Sequence, residues 1–451
     1  MDDDVTLSDA ATLALQQVMG LDMTALLHRV HEESSEDEEE NSEEKVSHLE
    51  YYKQMYPERY QEEDLSLVTN PIAVVTLDDE YVQNLVERGL KRRVNWTVMN
   101  RIPDDGNYHF HWGEYENIDW FSDGISAESL LVSCYYNRKG FIRKGHLANI
   151  LEKWHSKHPD EQRFQPKSYI ITLDLTGIQS EEEIVDQLFK NIDFPGFQQG
   201  ISDVWILKPS VTNQANGIAL VGSKVQLISA LIDADELQRA GDFVLQDYIP
   251  PLLVNGLKFH LRVFMLLVGN LVAYVHPDFL AISSLEQYEG ASLDNTRAHL
   301  TNICHQEILS KDDEYKCMRL FDEYDVDMVH SGLVATIDQA HNKISQTKER
   351  VNSIIANTVA AVNGELTFQA RQNCFEIFGL DFMIDPDWNV FILEANAEPD
   401  LGKAGDRLQY IIDDMLEETM NIVIDQSPRF ADSSQDKKEK FIKVFENQRF
   451  R

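Results

Sequence analysis

The sequence predicts a mixed α/β fold, of the α+β kind, with antiparallel or mixed sheets and more than one domain. The chain has 451 residues, which is more than a single hydrophobic core usually holds. Short apolar runs typical of strands recur along it, and the dipeptide Gly269-Asn270 joins two of them as a hairpin turn would. Long helical patterns run from Ile337 to Ala361 and from Gly405 to Asp425. Strands and helices mixed in this way favour an α/β architecture.

The first 65 residues form a segment with its own composition. They hold 19 acidic and 4 basic residues, with the densest acidic run in HEESSEDEEENSEEK. Residues 6–30 predict one amphipathic helix with Ser8 at its N-cap. From His31 to about Lys45, like charges and few apolar residues predict disorder. The folded body is therefore expected to begin after residue 65.

Four further regions follow from the order of the strand and helix patterns. The run IAVVTL, Ile72 to Leu77, opens a small α/β domain, and LVSCYY, Leu131 to Tyr136, has the composition of a buried strand. A helix over Lys144 to Pro159 and a strand over Tyr169 to Leu175 follow. The predicted regions are 66–130, the small N-terminal α/β domain; 131–204, a central region; 205–427, a large strand-rich region; and 428–451, a charged and locally basic tail.

The charge balance and the cysteines narrow the class of protein. A net charge of −37 disfavours a general nucleic-acid binder, because phosphate contacts require clustered Lys and Arg. No apolar run approaches the roughly 20 residues that span a bilayer, so no membrane partner is expected. The four cysteines contain no C-x-x-C pair, which fits a reducing compartment. The sequence therefore predicts a cytoplasmic protein.

Three oxygen-bearing side chains interrupt two apolar, strand-like segments near the C-terminal end. Asp381 lies in FGLDFMID, and Glu394 and Asn396 lie in VFILEAN. A buried carboxylate is unfavourable unless its charge is compensated, and a cation would do so. Alternation along a strand places Glu394 and Asn396 on one face, and a turn at 386–389 would bring Asp381 beside them. These are the hard oxygen ligands that hold Mg²⁺ beside substrate phosphates.

Cationic side chains are expected to face this trio. Lys258, His260 and Arg262 alternate with apolar residues in LKFHLRVFMLL, so they share one strand face. Lys208 ends the strand VWILK, and Pro209 then forces the chain out of it. An exposed edge strand with solvated charges is the alternative. Together with the acidic trio, the four residues favour a phosphate site.

The order of segments resembles the tubulin tyrosine ligase-like family of ATP-grasp enzymes, over roughly Asn100 to Leu401. The pieces that carry the resemblance are NRIP, CYYNRKGFIRKGHL, FQPKSYI, WILKPS, VLQDYIPPLLVNGLKFHLRVFMLL, HLTN, CFEIFGLDFMID and FILEANAEPDL. The resemblance implies an ATP-grasp fold and makes 205–427 the nucleotide-binding and catalytic region. It also implies an ATP- and Mg²⁺-dependent ligase that joins an amino acid to a protein through an acyl phosphate. Tyrosination, glutamylation or glycylation of a tubulin tail is the family reaction.

The resemblance also implies a role for each site residue. Arg262 and Lys258 are the implied catalytic residues. Asp381, Glu394 and Asn396 would hold Mg²⁺. The residues implied to bind ATP are Lys208, Gln246, Asp247, Tyr248, Ile249, Lys258, His260, Thr301 and Asn302. The implied partners are a free amino acid and tubulin or another protein with an acidic tail, in the cytoplasm and on microtubules.

Departures from the family pattern leave a second function open. His260 stands where the family usually has an aspartate in K-F-D-x-R, and the segment after Lys208 lacks a second glycine. The strand LVAYVHPDFLAISS lacks the arginine that the family usually places there to bind the incoming amino acid or the acyl phosphate. These departures motivate a catalytically weak ATP-grasp module that binds tubulin or another protein. A ligase that acts on a small molecule is a third interpretation.

Two basic clusters are candidates for contact with an acidic protein tail. One comprises Arg138, Lys139, Arg143 and Lys144, and the other Lys91 to Arg93. A solvated helix entrance is the alternative for either cluster, because charge runs usually lie at the surface.

Overall fold

The structure is a computed structural model that describes residues 70–93, 95–172, 204–210, 217–233, 242–290, 293, 295–397, 399, 401, 405–427 and 440–447. The acidic segment predicted for 1–65, with its helix over 6–30, lies outside the described residues. Three sheets organise the rest, with helices against them. In the described part of the chain, no helix has both the length and the apolar character required to cross a bilayer.

A parallel sheet of four strands forms the N-terminal part, in the order β2-β1-β3-β4. All five residues of its central strand, IAVVT, are buried, as in a strand covered on both faces. Helix α1 begins after Asp79, whose carboxylate accepts hydrogen bonds from two backbone N–H groups of the first turn. The elements are β1 (Ile72–Thr76), α1 (Glu80–Lys91), β2 (Thr97–Met99), β3 (Phe110–Gly113), α2 (Asp123–Ser126) and β4 (Leu131–Val132).

The predicted strand over LVSCYY is shorter than expected. Only Leu131 and Val132 pair with β3, and the chain then leaves the sheet. Tyr135 instead turns into the main core, where its hydroxyl donates to the Gly269 carbonyl at 2.9 Å. Apolar composition alone could not separate a strand from a buried irregular segment.

A second sheet of four antiparallel strands has the order β5-β8-β6-β7. The strands predicted for YIITLDL, VWILK and FVLQDYI all occur in it over the described residues. The elements are α3 (Lys139–Ile142), α4 (Lys144–Lys157), β5 (Ser168–Thr172), β6 (Trp205–Pro209), β7 (Ala219–Val221), α5 (Lys224–Asp233) and β8 (Asp242–Asp247).

The largest sheet has eight antiparallel strands around one long strand, β10. One edge of β10 pairs with β12 and β11, and the other pairs with β14, which in turn pairs with β15; the short strand β9 pairs with the start of β10. The predicted hairpin through Gly269-Asn270 is confirmed as β10 and β11, and Gly269 has a positive φ of 56° in its turn. The strands are β9 (Leu253–Val254), β10 (Leu257–Val268), β11 (Val272–Val275), β12 (Leu280–Ser283), β13 (Met318–Leu320), β14 (Phe375–Ile384), β15 (Val390–Ala397) and β16 (Ile442–Glu446).

Helices cover both faces of the large sheet. The helix predicted from Ile337 to Ala361 occurs as 26 residues, Ile337–Val362, and packs on one face. The helix from Gly405 packs on the other face together with α1. Asn421–Asp425 continues the second helix as one π-helical turn. The helices are α6 (Thr296–His299), α7 (Lys311–Cys317), α8 (Asp325–His330), α9 (Ile337–Val362) and α10 (Gly405–Met420).

Part of the segment predicted as a tail belongs to this sheet. Strand β16 pairs with β11 as the edge strand, and Phe441 just before it is buried. The Glu418 carboxylate accepts hydrogen bonds from the backbone N–H groups of Lys440 and Phe441 at 2.7 and 2.8 Å. The described residues of the tail are thus an ordered strand held by α10.

Candidate active site

Asp381 and Glu394 lie directly opposite each other on neighbouring strands. The register of β14 and β15 pairs Asp381 with Glu394, and an irregularity in the ladder follows at Asp381/Phe382. Asn396 Nδ2 donates to Glu394 Oε1 at 3.4 Å. The predicted pairing of the two segments through a turn at 386–389 is confirmed, and Trp388 takes a positive φ of 67° there. All three expected metal ligands therefore reach one place.

Arg262 on β10 binds Asp381 through two hydrogen bonds. The two residues are register partners, with Nε 2.5 Å from Oδ1 and an Nη2 donor 3.1 Å from Oδ2. Such paired contacts are the strongest form of a charged hydrogen bond. Because Asp381 is only 3 % exposed, the guanidinium compensates a carboxylate that is otherwise costly to bury.

Positively charged side chains from several elements surround the Glu394 carboxylate. Lys144, at the start of α4, places Nζ 3.5 Å from Glu394 Oε2. Burial by itself would raise the pKa of Glu394, but Lys144, Lys208 and Arg262 outweigh burial and lower it to about 2. Glu394 is therefore ionised at neutral pH.

Lys208 reaches this site from the second sheet. Its Nζ donates to Gln246 Oε1 at 3.0 Å, and Gln246 Nε2 donates to Ser168 Oγ at 3.1 Å. Burial lowers the pKa of Lys208 and the nearby Lys144 charge adds to this effect, while Glu394 opposes it. A buried lysine of this kind gains from an anionic ligand.

Lys258, on β10, lies beside Lys208. Its Nζ donates to the Tyr248 hydroxyl at 2.8 Å and lies 4.4 Å from the centre of that ring. The same hydroxyl pairs with His299 Nδ1 at 2.8 Å. Burial, followed by the charge of Lys208, lowers the pKa of Lys258 to about 7. An anion between the two lysines would favour their charged forms.

His260, between Lys258 and Arg262, is buried and neutral at pH 7. Its Nδ1 is hydrogen-bonded to Thr301 Oγ1 at 2.6 Å. Burial lowers the pKa of His260 to about 4, although the Asp381 carboxylate, 3.8 Å from Nε2, opposes the change. Nε2 has no hydrogen-bond partner among the described residues.

Two cavities meet at these side chains. A narrow slot of about 60 Å³ lies between the second and third sheets, and its lining includes Lys208, Lys258, Thr301 and Asn302. A larger cleft of about 540 Å³ lies toward the N-terminal sheet. His260, Asn302 and Glu394 line both. The larger cleft was not expected from the sequence, because its walls come from three distant parts of the chain.

Other expected site residues lie around the slot without lining it. Gln246 contacts Lys208, and Tyr248 contacts Lys258. The backbone N–H of Asp247 donates to the Lys167 carbonyl at 2.8 Å, and burial raises the pKa of the Asp247 carboxyl. Ile249 is half-buried at the end of this segment.

In each of the two predicted basic clusters, some residues form ion pairs with acidic residues of the same chain. Arg138 is buried in an ion pair with Glu376, and Lys144 pairs with Glu394. Arg93 pairs with Glu417 and Asp425. The role of Lys144 in the site was missed, since the sequence around it shows only a basic helix start. Its neighbour Gly145 is fixed to β6 by a hydrogen bond from its N–H to Ser210 Oγ at 3.1 Å.

The donor set is suited to Mg²⁺. The carboxylates of buried Asp381 and half-buried Glu394 and the amide oxygen of Asn396 are hard ligands, and both carboxylate residues line the slot. In the described part of the chain, no group of three or more His, Cys, Asp or Glu side chains forms a metal site. Two protein carboxylates are nevertheless enough, because Mg²⁺ usually takes its remaining ligands from phosphates and water.

Antiparallel sheets that enclose a slot lined by lysines and faced by paired carboxylates are the arrangement expected of the ATP-grasp fold. The model of the tubulin-tyrosine ligase family matches residues 132–432. The chain belongs to this family.

Individual relatives agree with this placement. A probable tubulin–tyrosine ligase of Schizosaccharomyces pombe is 27% identical over 396 residues, which cover 78% of this chain and 90% of that protein. The probable tubulin–tyrosine ligase Pby1 of Saccharomyces cerevisiae is 26% identical; the match covers 81% of this chain and about half, 53%, of Pby1. The crystal structure of the C-terminal domain of K. lactis Pby1, described as an ATP-grasp enzyme interacting with the mRNA decapping enzyme Dcp2, superimposes with a TM-score of 0.61. It is 23% identical and covers 84% of this chain and 99% of that domain. The ATP-grasp fold is thereby confirmed.

Proposed function

We propose that this protein is an ATP- and Mg²⁺-dependent carboxylate–amine ligase that forms an amide bond on a protein acceptor. The observation that carries the proposal is the pair of buried Asp381 and half-buried Glu394, opposite each other on β14 and β15 and faced by Lys208 and Arg262. Such a combination of buried anions and cations suits a metal–phosphate ligand better than a purely structural core.

The nucleotide would bind in the slot between the second and third sheets. Lys208 and Lys258 would neutralise its phosphates, and both have lowered pKa values that an anion would reverse. Thr301 and Asn302 line the same slot and offer hydrogen bonds to the nucleotide. The segment Gln246 to Ile249 holds these lysines and would lie along the base.

Asp381, Glu394 and Asn396 would hold Mg²⁺, which would neutralise charge on the transferring phosphoryl group. Asp381 also fixes the position of Arg262, so the guanidinium can stabilise the negative charge that develops nearby. Lys144 keeps Glu394 ionised and therefore ready to serve as a ligand.

The reaction would proceed in two steps. An acceptor carboxylate oxygen attacks the γ-phosphorus of ATP, which forms an acyl phosphate and releases ADP. An amine nitrogen then attacks the acyl carbon; the C–N bond forms, the C–O bond to phosphate breaks, phosphate leaves with the electron pair, and the nitrogen loses a proton. In the family reaction the amine belongs to an amino acid.

The acceptor is proposed to be tubulin or another protein with an accessible carboxylate. The names of the fungal relatives favour tubulin, which would place the chain in the cytoplasm and on microtubules. K. lactis Pby1 is described as interacting with Dcp2, so a different protein acceptor is consistent with the same fold.

A second candidate function is an ATP-binding module that binds a protein without ligating it. The observation in its favour is the apolar wall of the larger cleft, where Leu280 and Ile282 of β12 stand beside Arg262. Under this interpretation ATP would bind and stabilise the chain, but no acyl phosphate would form.

The proposal is tested with Glu394→Gln. In the wild type, Mg²⁺ with ATP should raise the melting temperature more than ATP alone, and Glu394→Gln should lose that difference. Glu349→Gln, at an exposed position on α9, is the matched control and should behave as the wild type. Failure of ATP to bind the wild type contradicts both candidate functions.

Acyl-phosphate formation separates the two candidates. Purified tubulin, ATP and Mg²⁺ would be incubated with hydroxylamine, which traps an acyl phosphate as a hydroxamate whatever the natural amine is. The ligase predicts hydroxamate and ADP that depend on tubulin and on Glu394. ATP binding without either product favours the binding module.

A further inference from the structure

A group of exposed apolar side chains lies on the surface formed by the segment after β3 and the loop between α9 and β14. Leu366 is 95 % exposed and Phe121 is 84 % exposed, the two highest values among the large apolar side chains of the described residues. Tyr136 is also exposed, and Trp120 beside it is half-buried. We call Trp120, Phe121, Tyr136 and Leu366 the aromatic patch. Single exposed apolar residues are common, whereas neighbouring ones often mark a contact surface.

Ring contacts and a hydrogen bond join the members of the aromatic patch. The centre of the Tyr136 ring lies 5.4 Å from that of Trp120 and 6.3 Å from that of Phe121. Asn137, the next residue along the chain, donates through Nδ2 to the Leu366 carbonyl at 3.0 Å. All of these residues belong to 95–172 and 295–397, two ranges that the structure describes without a gap. The aromatic patch is therefore one continuous surface.

Aromatic rings on this surface already contact guanidinium groups. The Arg371 guanidinium lies 5.8 Å from the centre of the Tyr136 ring, and that of Arg138 lies 4.8 Å from the centre of the neighbouring Tyr115 ring. Such contacts are favourable because the negative face of a ring attracts a cation. Since Phe121 is so exposed, its ring can accept a further guanidinium group.

The segment that carries Trp120 and Phe121 is acidic. Residues 114–128 contain five acidic residues and no lysine or arginine. Asp119 directly precedes Trp120, and the exposed Asp123 lies in the first turn of α2. A peptide with both basic and aromatic side chains would therefore complement this surface in charge and in apolar character.

The chain itself contains such a peptide close to the aromatic patch. Asn447, directly after β16, donates through Nδ2 to Asn363 Oδ1 at 3.3 Å. The residues that follow, 448–451, have the sequence QRFR and lie outside the described residues. Phe450 is three residues beyond Asn447, and Leu366 is three residues beyond Asn363. Because an extended residue spans about 3.3 Å, the two side chains can meet.

We propose that residues 448–451 bind to the aromatic patch of the same chain. Phe450 packs against Leu366 and Tyr136, and the arginines on either side of it contact the acidic segment 114–128 and the exposed ring in that segment. The contact connects the edge strand β16 to the segment that follows the N-terminal strand β3. It uses none of the residues proposed to bind ATP or Mg²⁺, so it does not depend on the proposed function.

The test places a fluorine label on the side chain that the proposal concerns. Trifluoromethylphenylalanine would replace Phe450 in the full chain, and its fluorine NMR resonance would be compared with that of a free peptide of residues 444–451 that carries the same label. In the folded chain the resonance should be shifted and broadened relative to the peptide, because the label lies against aromatic rings and tumbles with the protein. A resonance that matches the free peptide overturns the inference.

Substitutions in the aromatic patch locate the label. Leu366→Ser and Phe121→Ser change exposed side chains, so the melting temperature should stay near that of the wild type. In both variants the resonance should move toward the position of the free peptide. Leu309→Ser, at an 80 % exposed position outside the aromatic patch, is the matched control and should leave the resonance where it is. No movement in either patch variant contradicts the inference.

Charge reversal and dilution complete the test. Arg449→Glu combined with Arg451→Glu should also release the label, because acidic residues on both partners repel each other. Dilution of the labelled chain should change nothing, since both partners belong to one molecule. If the resonance returns to the free-peptide position on dilution, residues 448–451 bind a second copy of the chain, and the proposed contact within one chain is wrong.

Discussion

At the scale of single residues, the site depends on buried charges that compensate one another. Lys258 and Lys208 are both buried, and burial, followed by the charge of Lys208, lowers the pKa of Lys258 to about 7. Asp381 and Arg262 form the opposite case, in which two unlike charges stabilise each other. The first pair is unfavourable until an anion binds, whereas the second is favourable in the free protein.

The lowered pKa of Lys258 predicts a dependence of stability on pH. The folded value is about 7, and the unfolded value is about 10.4. Between these values the unfolded chain binds more protons, so the free energy of unfolding rises with pH. From pH 7 to pH 9, wild type should gain roughly 1 to 3 kcal/mol relative to Lys258→Met. Urea unfolding at both pH values measures this, and parallel pH curves for the two proteins would refute it.

Removal of Arg262 should be strongly destabilising. Arg262→Met leaves the Asp381 carboxylate buried without its main partner, at a cost of about 3 to 5 kcal/mol. Adding Asp381→Asn should recover part of the loss, because the uncompensated charge is then removed. Urea unfolding of the two single variants and the double variant gives the coupling energy. Arg297→Met, which breaks an exposed pair with Glu307, should cost no more than about 1 kcal/mol.

At the scale of elements, the strand ladder sets which side chains meet. β10 presents Lys258, His260 and Arg262 on the same face as Phe264, which faces the core under α10. The charged half of this face opens to the slot and the cleft, and the apolar half is covered by helix. The position of that helix therefore decides where the sheet is accessible to ligands.

The stability of the edge strand β16 should depend on the Glu418 side chain. The side chain of Glu418 accepts hydrogen bonds from the backbone N–H groups of Lys440 and Phe441, so it stabilises the start of the strand. Glu418→Gln removes the charge and one acceptor oxygen, and hydrogen exchange at 440–446 should become at least several times faster. Exchange in β14 should stay the same. Equal acceleration in β14 would mean that the variant loosens the whole sheet and would contradict this local role.

At the scale of the whole molecule, ion pairs join the N-terminal sheet to the last helices. Arg93, just after α1, contacts Glu417, Asp425 and Asn421. Its side chain is 7 % exposed, whereas that of Arg92 is 57 % exposed and contacts the edge of the same group, at Glu417. These contacts connect the end of α1 to α10 and to the turn that follows α10.

Two neighbouring arginines provide a matched test of this connection. Arg93→Met should lower the free energy of unfolding by about 1 to 3 kcal/mol, because it removes the buried cation that contacts half-buried Glu417 and Asp425. Arg92→Met should change it by less than about 1 kcal/mol. Urea unfolding of both variants decides the point. Similar values for the two would show that the buried contacts of Arg93 do not stabilise the structure.

Strand alternation made part of the site predictable from the order of residues alone. The grouping of Glu394 with Asn396, and of Lys258, His260 and Arg262, follows from a period of two residues. The pairing of Asp381 with Glu394 needed only a short turn between adjacent segments. Local periodicity could not predict that Lys144 pairs with Glu394. The two residues are 250 positions apart and meet only when α4 packs beside the sheet.

By itself the sequence determined the mixed α/β class, the likeness to the ATP-grasp ligases and the residue types of the proposed phosphate and metal site. Those features depend on short spacings, which the chain geometry imposes locally. Only the tertiary structure decided that Arg138 and Lys144 pair inward, that residues 440–447 complete a sheet, and that a larger cleft adjoins the site. The reason is physical: these features arise where distant segments pack, and long-range packing depends on the whole fold, so no local pattern records it.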